Sequence, residues 1–185
     1  MSEQDRVRWD AAYTGRESVD APDAPRAFRR HEDAFPVAGT ALDVACGPGL
    51  SSVWLARRGL RVSGLDVSVV AIDRARRLAA DHGVSGRCRF EVADLDDGLP
   101  DGPPVDVVLC HRFRDPGLYP ALAARLRPGG LLAVCVLSEV GAEPGRFRAA
   151  AGELETAFAG LEPVAAHEGD GEAWILARSP LTERS

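Results

Sequence analysis

The stretch that most restricts what this chain can fold into is Ala41 to Gly59, ALDVACGPGLSSVWLARRG, because its hydrophobic period changes at a tight glycine turn. Ala41, Leu42 and Val44 make a short apolar run. Cys46, Gly47, Pro48 and Gly49 supply turn chemistry, and from Leu50 the apolar positions Val53, Trp54 and Leu55 fall at helical spacing. The segment reads strand, glycine turn, helix: half of a βαβ unit of the kind that receives nucleotides. Gly47 and Gly49 lack Cβ atoms, so the backbone there can turn sharply and approach a ligand, with the free N–H groups of the next helix facing the same crevice. The Gly-x-Gly is not completed, since Ser52 stands where a dinucleotide fingerprint has its third glycine.

The downstream residues narrow the reading. Arg61 to Leu65 reads as a second strand and ends at Asp66, seventeen residues past Gly49. A carboxylate there can accept two hydrogen bonds from a ribose diol. A third strand, Arg89 to Val92, runs into Ala93-Asp94-Leu95, where a second carboxylate suits an exocyclic amino group. Val105 to Cys110 is a fourth apolar run, and Leu126-Arg127-Pro128-Gly129-Gly130-Leu131-Leu132 leads from a helix through a turn into a fifth strand. Val69 to His82 carries Val69, Ile72, Ala75, Leu78 and Ala79 on one helical face, with Ser68 as N-cap and Gly83 as stop.

Taken together, DVACGPG, LDVS, VADL, DVVLC and LRPGGLL resemble the successive motifs of class I S-adenosylmethionine-dependent methyltransferases, over about Ala41 to Val136. The resemblance implies a single α/β, Rossmann-like domain. Its sheet is mostly parallel and seven-stranded, with an antiparallel last strand at Ala173 to Ala177 and helices on both faces. It implies an N-terminal helical cap or lid over residues 1–40 and a core over 41–185. It also implies S-adenosyl-L-methionine as cofactor and S-adenosyl-L-homocysteine as product. Asp43 and the loop Ala45, Cys46, Gly47, Pro48 and Gly49 then approach the methionine part. Asp66 with Val67 holds the ribose, Ala93, Asp94 and Leu95 read adenine, and Cys110 closes the pocket. Ala45 replaces the commoner glycine of that motif, which implies a small shift of the loop. RWDAAY at Arg8 to Tyr13, and GELETAFAGLEPV with GEAWILARSP near the other end, resemble the small tellurite-resistance-type and thiopurine-type members, which implies a small, soft or anionic acceptor.

Composition excludes other chemistries. A chain of 185 residues is one domain by length and buries a full core without disulfides or metals. Its net charge of -6 argues against a nucleic-acid partner, and the arginine pairs read as solvated helix faces. All 22 basic residues are arginine, so neither a Schiff-base lysine nor a Walker lysine is present. Cys46, Cys88, Cys110 and Cys135 form no Cys-x-x-Cys pair and read as small buried hydrophobes, with no metal site. No run reaches bilayer length and Met1 to Asp10 is charged, so a cytoplasmic protein without membrane contact is expected, as monomer or homodimer.

Methyl transfer from a sulfonium to an O, S or N nucleophile proceeds in line, so positioning and water exclusion supply much of the catalysis. His111, directly after the fourth strand, is the candidate base, since an ordinary histidine pKa suits removing a proton; it can also serve only as a hydrogen-bonding residue. Arg112 and Arg114 can hold an anionic acceptor, with Asp115 as alternative base or as their ion-pair partner. Tyr13 and Trp9 can form a lid, or simply dock a helix. Ser138, Glu139 and His31 are further possible acceptor contacts. A non-catalytic S-adenosylmethionine-binding sensor or partner module is the alternative function, and a nicotinamide oxidoreductase a third, disfavoured by Ser52 and the short chain. The loop Thr14 to Pro25 and a helix over Ala27 to Phe35 complete the expected organisation.

Overall fold

Eight strands form one sheet in the computed structural model, which describes residues 3–14 and 21–181, with side chains from Val7 onward. They are β1 (Gly39–Val44), β2 (Leu60–Asp66), β3 (Cys88–Val92), β4 (Val105–His111), β5 (Leu126–Ser138), β6 (Arg148–Ala149), β7 (Glu162–Gly169) and β8 (Glu172–Arg178). Their order is β3-β2-β1-β4-β5-β8-β7, and the two-residue β6 pairs with Leu137 and Ser138 of β5. All pairings among β1 to β6 are parallel, whereas β8 runs antiparallel to both β5 and β7. The strand expected at Ala173 to Ala177 is therefore the antiparallel one, inserted between β5 and the edge strand β7. Asp170 and Gly171 turn β7 into β8 with positive φ at both positions, the backbone that a two-residue hairpin needs.

The helices are α1 (Glu3–Thr14), α2 (Leu50–Arg57), α3 (Val69–Asp81), α4 (Tyr119–Ala124) and α5 (Glu153–Ala157). Ser68 caps α3 by accepting the Ala71 N–H at 3.1 Å, and Gly83 follows the helix at φ 69°. The helix expected over Ala27 to Phe35 is instead a 3-10 segment, Arg26–Ala34, that leaves helical geometry at His31. Its tighter winding seats Phe28 and Phe35 against Trp174 and Trp54, so aromatic packing decides the backbone there. The Arg127-Pro128-Gly129-Gly130 turn lies inside β5 and not ahead of it. Val105 pairs with Leu126 and Val107 with Leu131, so the turn bulges out between two ladder positions. Much of the loop expected over Thr14 to Pro25 falls outside the described residues.

The central strands β1, β4 and β5 are buried on both faces. One face packs Phe28, Phe35, Trp54 and Leu55 on Leu131, Ala133 and Leu176. The other packs Tyr119, Leu122, Leu154 and Phe158 from α4 and α5 on Leu132, Val134 and Ile175. Over β2 and β3 this second face carries no helix: residues 93–104 cross it with a single 3-10 turn, Leu95–Asp97. Among the described residues, no helix is long and apolar enough to cross a membrane.

Candidate active site

The parallel strands β1, β2, β3 and β4 end along one edge of the sheet, where this fold receives its ligand, and the residues that follow each strand gather there. After β1, Ala45, Gly47 and Gly49 all take positive φ, at 55°, 52° and 83°. This is the left-handed backbone expected of glycine, and Ala45 holds it too, at a cost of about 1 to 2 kcal/mol for a residue with a Cβ. The loop thus keeps a glycine-like path despite the alanine. Cys46 N–H donates to the Leu65 carbonyl at 2.9 Å and Gly47 N–H to Asp66 Oδ2 at 2.8 Å, tying the loop to β2. Pro48 is half-buried between the two glycines. A Cβ on Gly49 would stand 2.7 Å from the Ala75 Cβ, so its absence lets α2 meet α3. A Cβ on Gly47 would stand 2.9 Å from Tyr13 Oη, which puts α1 directly over the loop.

Two carboxylates lie behind this loop. Asp43 is buried and accepts the Ser52 hydroxyl at 2.6 Å; burial pushes its pKa up to about 7, the Ser52 bond opposes that, and the Asp66 charge adds to it. Ser52 replaces the third glycine of a dinucleotide fingerprint with a hydrogen bond to the strand. Asp66 takes Gly47 N–H on Oδ2 and Ser68 N–H, at 2.9 Å, on Oδ1. Burial raises its pKa, the Ser68, Gly47 and Val67 N–H groups oppose the rise, and Asp10 adds to it. Asp10 was not among the sequence candidates, although it stands within RWDAAY. Its Oδ1 accepts the Ser68 hydroxyl and, at 3.5 Å, the Val70 N–H, which docks α1 on the start of α3.

Val67 is buried, and Ala93 N–H donates to the Asp66 carbonyl at 2.9 Å, so the exits of β2 and β3 are joined. Asp94 caps the following 3-10 turn by accepting Asp96 N–H at 3.0 Å, and Leu95 is buried beneath it. At the end of β4, Cys110 is buried with its thiol directed to the Phe113 carbonyl at 3.4 Å. His111 departs from the ordinary histidine range: burial, with the Arg112 charge, lowers its pKa to about 4. It is therefore neutral at pH 7 and a weak base. Arg112 is exposed at φ 62°, its N–H bonded to the Cys135 carbonyl at 2.7 Å.

Arg114 is not paired with Asp115. Its guanidinium grips both oxygens of Glu153 at 2.7 and 2.6 Å, Tyr119 Oη donates to the same carboxylate at 2.9 Å, and Asp115 Oδ1 accepts Gly117 N–H at 2.9 Å. The partner comes from α5, 39 residues away, so no spacing rule indicates it. Trp9 and Tyr13 stack on each other with centroids 5.9 Å apart. Ser138 is buried and accepts Val140 N–H at 3.1 Å, and the Glu139 N–H bonds to the Ala149 carbonyl. His31 rests against Trp174 at 5.5 Å; Trp174 pairs with Cys135 and Cys135 with His111, which sets that aromatic two strands from His111.

Residues 41–130 match the methyltransferase domain family. The chain is 36% identical over 114 residues to a trans-aconitate 2-methyltransferase of Streptomyces coelicolor, covering 58% of this chain and 35% of that protein. It is 35% identical over 98 residues to a ribosomal protein L11 methyltransferase of Dechloromonas aromatica, covering 51% of this chain and 31% of that protein. The chain thus spans about a third of the length of these relatives. The solved DhpI–SAH complex superimposes with a TM-score of 0.70 at 23% identity, covering 96% of each chain. Residues 41–130 thus match a methyltransferase domain family, and the chain has the Rossmann-like fold of the solved methyltransferase-type structures it superimposes on.

Proposed function

We propose that this chain transfers a methyl group from S-adenosyl-L-methionine to the O, S or N nucleophile of a small, anionic acceptor, as a cytoplasmic enzyme without a nucleic-acid partner. The observation that carries the reading is the state of Asp66. A carboxylate offers about four acceptor sites. Gly47 and Ser68 occupy one on each oxygen. Acceptor capacity remains on the carboxylate for a vicinal diol, at the end of the strand where this fold receives a ribose. The glycine loop beside it would hold the methionine part with Asp43, and Ala93 to Leu95 would hold adenine, with Val67 and Cys110 as pocket wall. The cofactor supplies an electrophilic methyl group on a sulfonium centre.

The chain supplies position. Arg112, exposed and locked in a left-handed backbone, is the residue for an acceptor carboxylate or phosphate. His111, neutral at pH 7, offers a lone pair or an N–H to the acceptor and serves orientation more than proton removal. Residues 1–40 act as a lid, with Tyr13 above Gly47. The trans-aconitate enzyme, similar to this chain over 58% of its length, favours a small acceptor with anionic groups.

Calorimetry with S-adenosylhomocysteine, followed by methyl release over small carboxylates, phenols, thiols and amines, tests the reading. Saturable binding and turnover of one class are expected. A chain that binds S-adenosylhomocysteine yet turns over no acceptor is the sensor alternative, and one that does not bind it has another cofactor or none.

A further inference from the structure

The crossing from β3 to β4 spans three strand intervals, roughly 14 Å at the usual strand spacing. Residues 93–104 make it with one short 3-10 turn. That segment is too short to lay a helix on the sheet, and a cleft of about 450 Å³ remains beside it, over β1, β2 and β3. This volume lies within the range of small-ligand sites. Its lining includes the buried side chains Leu42, Leu65 and Val105, together with Pro100 and Pro103. Its charged lining is unbalanced: Arg61, Arg87, Arg89 and Arg125 stand against Glu91 and Asp101, in a chain of net charge -6.

Three of these arginines are engaged. Arg87 donates to the Gly59 carbonyl, Arg125 to the Pro100 carbonyl, and Arg89 pairs with Glu91. The Arg61 guanidinium makes no hydrogen bond or ion pair among the described residues, and neither does the Ser63 hydroxyl. Both side chains alternate onto the face that carries Leu65, because Leu60 and Val62 point into the opposite core. Ser63 is in register with Arg89 on β3, so two guanidinium groups and a hydroxyl share one patch of sheet. Glu91 already compensates Arg89, so the uncompensated charge on this patch is the Arg61 guanidinium, beside the Ser63 hydroxyl.

We propose that this cleft is a second ligand site, separate from the cofactor crevice, for a small organic anion with an apolar body. The anionic group sits on the Arg61 guanidinium and the Ser63 hydroxyl, beside the Glu91-paired Arg89, and the apolar body lies toward Leu42, Leu65 and Val105. The site is independent of the assignment of the cofactor crevice, since none of these side chains belongs to it.

Phenyl phosphate is the probe, titrated into the full chain by calorimetry with and without saturating S-adenosylhomocysteine, and inorganic phosphate is the second arm. Saturable one-to-one binding of phenyl phosphate is expected, unaffected by S-adenosylhomocysteine and at least tenfold tighter than that of inorganic phosphate. Arg61→Ala should weaken it tenfold or more while leaving the melting temperature and S-adenosylhomocysteine affinity unchanged, and Arg61→Lys should restore part of it. Absence of saturable binding, equal affinity in Arg61→Ala, or displacement by S-adenosylhomocysteine would each overturn the site. Equal affinity for the two probes would overturn the apolar half of the ligand class. Failure of S-adenosylhomocysteine to bind, with phenyl phosphate still bound, would count against the cofactor reading alone.

Discussion

Asp43 and Asp66 occupy similar places, each at or near the end of a strand, yet their surroundings give them different chemistry. Asp66 takes backbone N–H donors and, under the proposed reading, holds a ribose diol; Asp66→Ala is expected to weaken S-adenosylhomocysteine binding by about 1 to 3 kcal/mol, the scale of hydrogen bonds left unmade. Identical isotherms from folded mutant and parent would refute the ribose role. Asp43 has one hydroxyl donor and a pKa near 7, so a large fraction of the free chain carries it protonated at pH 6.5. Under the proposed reading a cationic ligand arrives beside it and favours the carboxylate, which releases a proton on binding. Calorimetry at pH 6.5 in two buffers of different ionisation enthalpy should detect a fraction of one proton released, absent in Asp43→Asn. Affinity should rise as pH goes from 6 to 8; a flat profile would place the ligand's charge elsewhere.

At the scale of elements, the glycine loop and α1 form one unit. The open side of Gly47 is filled by Tyr13 Oη, so α1 and the loop share a contact that neither sequence motif displays alone. Gly47→Val should therefore act twice. It strains a backbone at φ 52°, costing about 1 to 2 kcal/mol of stability, and it pushes Tyr13 off the loop. The expected outcome is a folded protein with S-adenosylhomocysteine affinity reduced tenfold or more, read by denaturant melts and calorimetry together. Parent-like affinity would show that the cofactor does not approach this turn. The glycine turn and its helix were legible in the sequence because period and turn chemistry are local. The 3-10 form of residues 26–34 was not, because Trp54 and Trp174, which seat its phenylalanines, come from distant strands and helices.

For the whole molecule, stability against pH reflects opposed burials. His111 falls from 6.5 to about 4 on folding, so its contribution is complete above 6.5 and is lost as pH falls toward 4. Asp43 is raised from 3.8 to about 7, so its contribution is complete below 3.8 and is lost as pH rises through 7. Glu153, held down by Arg114, loses its contribution only in stronger acid. Between pH 7 and 5 the first two oppose each other. Replacing His111 with Asn should therefore make the chain lose less stability on acidification, by about 1 to 2 kcal/mol between pH 7.5 and 5. Parallel stability curves for parent and mutant, from urea melts at several pH values, would mean that His111 is not shielded from water.

Local pattern was enough to establish the strand and helix alternation of the core and the strand ends that carry Asp43, Asp66, Asp94 and His111, whereas the antiparallel last strand was implied by the family resemblance and not by period or spacing. Hydrophobic period, caps and glycine turns act over a few residues and need no partner. Tertiary structure alone decided the rest. Arg114 finds Glu153 and not its neighbour Asp115; Ser52 turns back to satisfy Asp43; His111 is half-buried and its pKa is lowered; residues 93–104 leave part of a sheet face without a helix. Each of these depends on which remote groups are brought within hydrogen-bond reach and on how much water is excluded around them. Those quantities exist only once the sheet has closed.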